Sequence, residues 1–412
     1  MRENGMLGHM ERRAPRWSEL RELIRLRPPR PGRRARVERA ATIWDLRRLA
    51  RRRAPRAVFD YTDGAAESET SLRRSRDAYR RVEFHPDVLR DVSRVETGTT
   101  ILGTPSSLPL ALAPTGFTRM MHAAGEPAVG RAAAAAGIPY TLSTLGTTSA
   151  GDLARRVPGG DLWFQLYVWR ERDFVRHLID EARESGYRVL VLTVDTPVAG
   201  VRLRDIYNGL TVPPQLTLRT LLDGATHPAW WWDLLTTEPL EFASLRSSEG
   251  TVAELIDKVF DPGVGFDDVA WLKETWEGPV VVKGIQNPAD AVTAVERGAD
   301  GVIVSNHGGR QLDRSPITLE VLPRVVEAVG DRAEVFVDGG IMSGGDIAAA
   351  VAFGARAAMV GRAYLYGLMA GGEHGVHRAL DILESELKRT MQLLGTTKVE
   401  DLDASRVRLR PA

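Results

Sequence analysis

The nonapeptide SNHGGRQLD, Ser305 to Asp313, sets an imidazole and a guanidinium three residues apart around two glycines, directly after the apolar run GVIV (Gly301 to Val304). On an arbitrary loop the glycines would make a tight turn, and His307 and Arg310 would simply be solvated. Comparable polar residues, however, close other apolar runs. Gln165 and Tyr167 end LWFQLY, Thr193 and Asp195 end VLVLTVD, Lys283 ends PVVVK, Asp338 ends EVFVD, and Gly361 with Arg362 follows AAMV. A neutral imidazole titrates near pH 7 and suits proton abstraction, a carboxylate beside it stabilises the imidazolium, and a planar guanidinium grips a carboxylate with two parallel hydrogen bonds. A lysine at the end of a buried run is costly unless an anion meets it. Solubility does not explain why Lys, His, Arg and Asp should coincide at such places.

The elements that would bring these residues together are the runs themselves. Eight occur, ending near Ala113, Ser143, Tyr167, Asp195, Lys283, Ser305, Asp338 and Gly361, and they are separated by Ala-rich or charged stretches with helical character. Continuous apolar runs flanked by helices are the pattern of parallel strands buried on both faces. Successive ends lie 30, 24, 28, 88, 22, 33 and 23 residues apart, so all but one interval fits a single strand-helix unit. The expected fold is α/β: a closed (β/α)8 TIM barrel with a helical N-terminal extension and a long insertion, about residues 205–265, between the fourth and fifth strands. An open doubly wound sheet is the alternative, weakened by the lack of G-x-G-x-x-G after the first strand. In a barrel the strand ends form one rim, where catalytic groups belong.

Residues 1–41 read as a basic, irregular extension, with 42–412 as the barrel domain. Eighteen arginines lie between Arg2 and Arg56, and RLRPPRPGRRAR (Arg25 to Arg36) adds three prolines. Thr42 to Glu69 starts with an N-cap threonine and stops near Gly64, predicting one or two helices. The 412-residue chain has a net charge of +1, so no global field argues for nucleic acid. It has no cysteine, which removes disulfides, thiolate nucleophiles, zinc thiolate sites and iron-sulfur clusters, and no metal site is expected. An intracellular chain is the simplest reading. No apolar run approaches the length of a membrane span.

SNHGGRQLD, with VKG upstream and DGGIMSGGDIAAAVAFGARAAMVGRAYLYGL downstream, resembles the FMN-dependent 2-hydroxy acid oxidases and dehydrogenases, and most closely the bacterial respiratory L-lactate dehydrogenases. The resemblance runs from about Thr42 to Thr390. It implies FMN as cofactor and a short 2-hydroxy acid as substrate, with His307 as base and Asp195 as its carboxylate partner. It further implies that Arg310 and Arg202 hold the substrate carboxylate, that Tyr61 and Tyr167 present substrate-binding phenols, and that Gly116 and Leu145 shape the side-chain pocket. Lys283 would stabilise the reduced flavin, and Ala113, Thr115, Ser143, Gln165, Thr193 and Ser305 would surround the cofactor. Asp338, Gly340, Gly361 and Arg362 would form its phosphate end, after strands seven and eight. Many family members carry arginine where this chain has Met342.

The electron acceptor implied is a quinone or another respiratory acceptor; an oxygen-using oxidase and a non-catalytic barrel serving as a binding subunit are the alternatives. An inosinate-type dehydrogenase would need a catalytic cysteine, and an isomerase using reduced flavin has no use for a His-Arg loop. The insertion carries HPAWWWDLLTTEPLEFASL (His227 to Leu245), in which Trp230, Trp231 and Trp232 are consecutive. Indoles favour the bilayer interface but also cap barrels and fill subunit contacts. The expectation is a cytoplasmic enzyme lying peripherally on the inner face of the cell membrane, and family precedent suggests a tetramer.

Overall fold

The computed structural model describes residues 13–14, 16–23, 32–209, 225–245 and 261–411. Eight parallel strands close into a barrel: β1 (Leu110–Leu112), β2 (Tyr140–Ser143), β3 (Leu162–Leu166), β4 (Val189–Thr193), β5 (Val280–Ile285), β6 (Gly301–Val304), β7 (Glu334–Val337) and β8 (Ala357–Val360). Each strand pairs with its neighbours in chain order, and β8 pairs with β1. Six of the eight are buried at every position, since helices cover one side and the barrel interior fills the other. The interior is a packed cluster that includes Trp163, Val191, Val281, Ile303, Phe336 and Met359.

A hairpin that the sequence reading did not single out, Thr99–Ile101 with Thr104–Ser106, closes the N-terminal face of the barrel. Leu102 and Gly103 both take positive φ, as a two-residue hairpin turn requires. Ile101 inserts into the interior cluster, while Arg188 donates to the carbonyl of Leu102 and Glu334 accepts from its N–H.

Two helices precede the barrel as predicted. Ile43–Arg53 begins with a reciprocal capping box between Thr42 and Asp45, and Arg56–Asp63 ends at Gly64. A third helix, Thr70–Arg80, follows. Within the basic extension, read as irregular, Trp17–Leu23 and Arg33–Glu38 are helical, and Val37 is buried against Gly371. Residues 1–12, 15 and 24–31 of that extension lie outside the described residues, as do 210–224 and 246–260 of the insertion. The described parts of the insertion are the helices Leu203–Asn208 and Pro228–Leu235 and a short 3-10 turn, Ala243–Leu245. Among the described residues no helix is long and apolar enough to cross a membrane.

Candidate active site

Seventeen of the residues singled out from the sequence line one cavity at the C-terminal rim: Tyr61, Ala113, Thr115, Gly116, Ser143, Leu145, Gln165, Tyr167, Thr193, Arg202, Lys283, His307, Arg310, Asp338, Gly340, Gly361 and Arg362. The other two, Asp195 and Ser305, stand directly behind it. Asp195 Oδ1 is 3.0 Å from His307 Nδ1, and Ser305 Oγ accepts from both Lys283 Nζ (2.9 Å) and the His307 backbone N–H (3.0 Å).

His307 is held in a demanding conformation. His307 has φ of 55°, a left-handed geometry that costs a non-glycine residue on the order of 1–3 kcal/mol and persists only where the surroundings fix it. Burial pushes the Asp195 carboxyl up, but the facing imidazole, its hydrogen bond and the Lys283 charge outweigh that and leave it below the ordinary carboxylate range. An ionised carboxylate only accepts, so Nδ1 carries the ring proton and Nε2 is left as the acceptor. Gly284 makes this approach possible. It sits at a register irregularity of β5, with φ of 112°, and a Cβ there would fall 2.8 Å from the Asp195 backbone nitrogen.

Lys283 is fully buried and pairs with Asp338 at 3.0 Å. Burial alone would depress its pKa, yet the Asp338 and Asp195 charges hold it above its ordinary value, so it remains a cation. Asp338, expected at the phosphate end, thus contacts the lysine.

Arg310 donates to the carbonyls of Tyr61 (2.5 Å) and Gly64 (3.3 Å) and lies 4.9 Å over the Tyr61 ring. Arg202 faces the same ring at 5.8 Å, its Nε held by Asp205 at 2.8 Å. Burial, followed by the charge of Arg202, pulls the Arg310 pKa down, whereas at Arg202 burial is outweighed by Tyr61 and Asp205, which hold its pKa above the ordinary value, so of the two Arg310 is the cation an anion would relieve. Tyr167 is buried, which pushes its phenol up and keeps it protonated. Arg362 spends its donors on the carbonyls of Thr62 (2.9 Å), Gly308 (2.9 Å) and Gly64 (2.6 Å), and burial lowers its pKa to about 10. It therefore ties the helix bearing Tyr61 to the histidine loop. Met342 is buried and contributes only its N–H, to Asp346, so the end of β7 carries no cation at that position.

The nonapeptide is occupied along most of its length. Asn306 caps the turn at Gly309, Gln311 donates to the carbonyls of Asp195 (3.3 Å) and Val198 (3.1 Å), and Asp313 accepts from Ser68 and the Ser71 N–H. Gln311 fastens the loop carrying Asp195 and Arg202 to the loop carrying His307. Sequence reasoning missed it although it stood in the quoted motif, because an amide has no chemistry of its own to advertise. Phe242, Met121 and Arg76, which also line the cavity, were missed too.

A closed barrel with a His–Asp pair, two guanidiniums over one tyrosine ring and a buried lysine on one rim has the make-up of an enzyme active site. A family model described as FMN-dependent dehydrogenase matches residues 50–409, and the chain belongs to that family. It is 55% identical over 399 residues to a putative L-lactate dehydrogenase of Mycobacterium tuberculosis (97% of this chain, 96% of the relative). It is 42% identical over 370 residues to an L-lactate dehydrogenase of Caulobacter vibrioides (88% and 96%). A crystal structure of the monotopic membrane protein (S)-mandelate dehydrogenase superposes with a TM-score of 0.87 at 38% identity, covering 90% of this chain and 100% of that one.

The residues present fit FMN. Among the described residues, Gln165 Nε2, Thr193 Oγ1 and Asp338 Oδ1 are buried in the cavity wall without a hydrogen bond inside the protein, as expected of groups that serve a polar ring system. Gly340, with φ of 92°, lets the Ser75 carbonyl approach to where a Cβ would lie, and an added Cβ on Gly361 would touch only Thr115, so the end of β8 leaves room that a phosphate would fit.

Proposed function

We propose that the protein oxidises a short L-2-hydroxy acid, L-lactate to pyruvate, and passes the electrons to a quinone or another respiratory acceptor. The observation that carries this reading is the His307–Asp195 pair, 3.0 Å apart, beside the two guanidiniums of Arg310 and Arg202. Arg310 and Arg202 bind the substrate carboxylate, with Tyr61 and Tyr167 flanking it. His307 Nε2 accepts the hydroxyl proton, and Asp195 stabilises the imidazolium that results. FMN, when bound, would supply the two-electron oxidant for the Cα–H bond, and Lys283 would offset the negative charge of its reduced form. The names of the Mycobacterium and Caulobacter relatives support lactate, and the monotopic neighbour supports a peripheral position on the inner face of the cell membrane. A homo-oligomer, a tetramer, completes the reading.

Anaerobic titration of the purified yellow protein tests it: L-lactate is expected to bleach the flavin, and a soluble quinone to restore the colour faster than oxygen does. Absence of bleaching by lactate would exclude that substrate. Faster recovery with oxygen would make the protein an oxidase.

A further inference from the structure

Among the described residues of the insertion, about residues 205–265, Phe242 reaches back into the cavity. Phe242 is 6% exposed and lines the same cavity as His307 and Arg310. Its ring meets Phe117 edge-on, centroids 4.5 Å apart at 73°. The Phe117 N–H donates to the carbonyl of Leu145 (2.9 Å), and the Ala243 N–H donates to that of Gly146 (3.0 Å). Phe242 is thereby pinned where the loops after β1 and β2 meet. The preceding chain is anchored as well: Trp230 Nε1 donates to the Met120 carbonyl (2.9 Å), and Arg119 donates to that of Glu238 (2.6 Å). Gly116 and Leu145 are themselves closely packed, since a Cβ on Gly116 would lie 3.1 Å from both Cβ and the carbonyl oxygen of Leu145.

The residues that meet at this junction, Gly116, Phe117, Leu145 and Phe242, are apolar, while the guanidiniums, the imidazole and the lysine are among the other residues lining the cavity. A 2-hydroxy acid has only three groups to place. With its carboxylate on Arg310 and Arg202 and its hydroxyl at His307, the remaining substituent is desolvated only in an apolar corner.

We propose that Phe242 is a specificity-determining residue, which closes this corner and restricts the substrate to a short aliphatic side chain. The inference rests on the 2-hydroxy acid reading above and adds that the insertion selects the substrate. The test measures kcat and KM of the holoenzyme for L-lactate and (S)-2-hydroxyhexanoate in the wild type, Phe242→Ala, Phe242→Leu and, as a control, Leu240→Ala. Leu240 packs against the core in the same segment without lining the cavity. Phe242→Ala is expected to raise the kcat/KM ratio of the longer to the shorter acid by about tenfold or more. The change should fall on KM for the longer acid, with Phe242→Leu intermediate; should the alanine variant not fold, the leucine variant decides alone. An unchanged ratio, an equal loss for both acids, or the same shift in Leu240→Ala would overturn the proposal. A wild type that oxidises neither acid would overturn the proposed function instead.

Discussion

At the scale of single residues, the hydroxyl of Ser305 links the buried lysine to the histidine loop, since it accepts from Lys283 Nζ and from the backbone of His307. The base itself is replaceable without emptying the cavity. His307→Gln is expected to keep the bound flavin, visible in its absorption spectrum, and to lose at least about 100-fold in kcat, as removal of a general base does. Retained turnover would remove His307 from the chemistry. The sequence displayed these residues because each interrupts an apolar run with a group that water would otherwise keep. It could not display what Arg362 does. A guanidinium beside glycines reads as an anion clamp, while its bonds to three carbonyls of distant segments depend on close approaches that no local pattern encodes.

At the scale of elements, the strands were legible to within about two residues because helices shield them on one side and the filled interior on the other, which removes polar positions from the run. The hairpin at residues 99–106 was not, since its strands TTI and TPS are three residues each and bury one apolar side chain, Ile101. The pairing of the N-terminal helices was equally hidden. Asp63, at the end of Arg56–Asp63, accepts from Arg47 (2.6 and 2.8 Å), Arg204 (3.1 Å) and Tyr366 (2.6 Å). Burial raises its pKa, but the Arg47 and Tyr366 bonds outweigh this and hold it far below the ordinary value. A depressed carboxylate contributes stability that is complete above its unfolded pKa and is lost as pH falls through that value toward the folded one. Asp63→Asn should therefore cost on the order of 3 kcal/mol at neutral pH, as breaking a buried ion pair does, and its melting curve should converge on that of the wild type in acid below about pH 4. A gap that stays constant across the titration would show that the charge is not what holds this helix.

At the scale of the whole molecule, the three tryptophans of the insertion divide their work. Trp230 is buried, Trp231 is half-buried against the core, and Trp232 is 71% exposed, one turn from Leu235 at 74%. A membrane contact would therefore use Trp232 and Leu235, which share one face of Pro228–Leu235. Wild-type protein is expected to co-sediment with anionic vesicles at low salt, and a Trp232→Ser, Leu235→Ser double variant to remain in solution while keeping its cofactor. Equal behaviour of the two would make the insertion a cap alone. The same distances along the chain govern how the molecule is built. Tyr366 and Arg362 hold the helix that carries Tyr61, across separations of about 300 residues. A ribosome adding about 5–20 residues per second leaves that helix waiting on the order of 15–60 s for the partners that fix it. A nascent chain stopped before residue 362 would already contain His307, Asp195, Lys283 and the Arg310 that bonds the Tyr61 carbonyl, yet it would lack the bonds of Arg362 and Tyr366 to the same helix, so the part of the site made first is the last to be fully held.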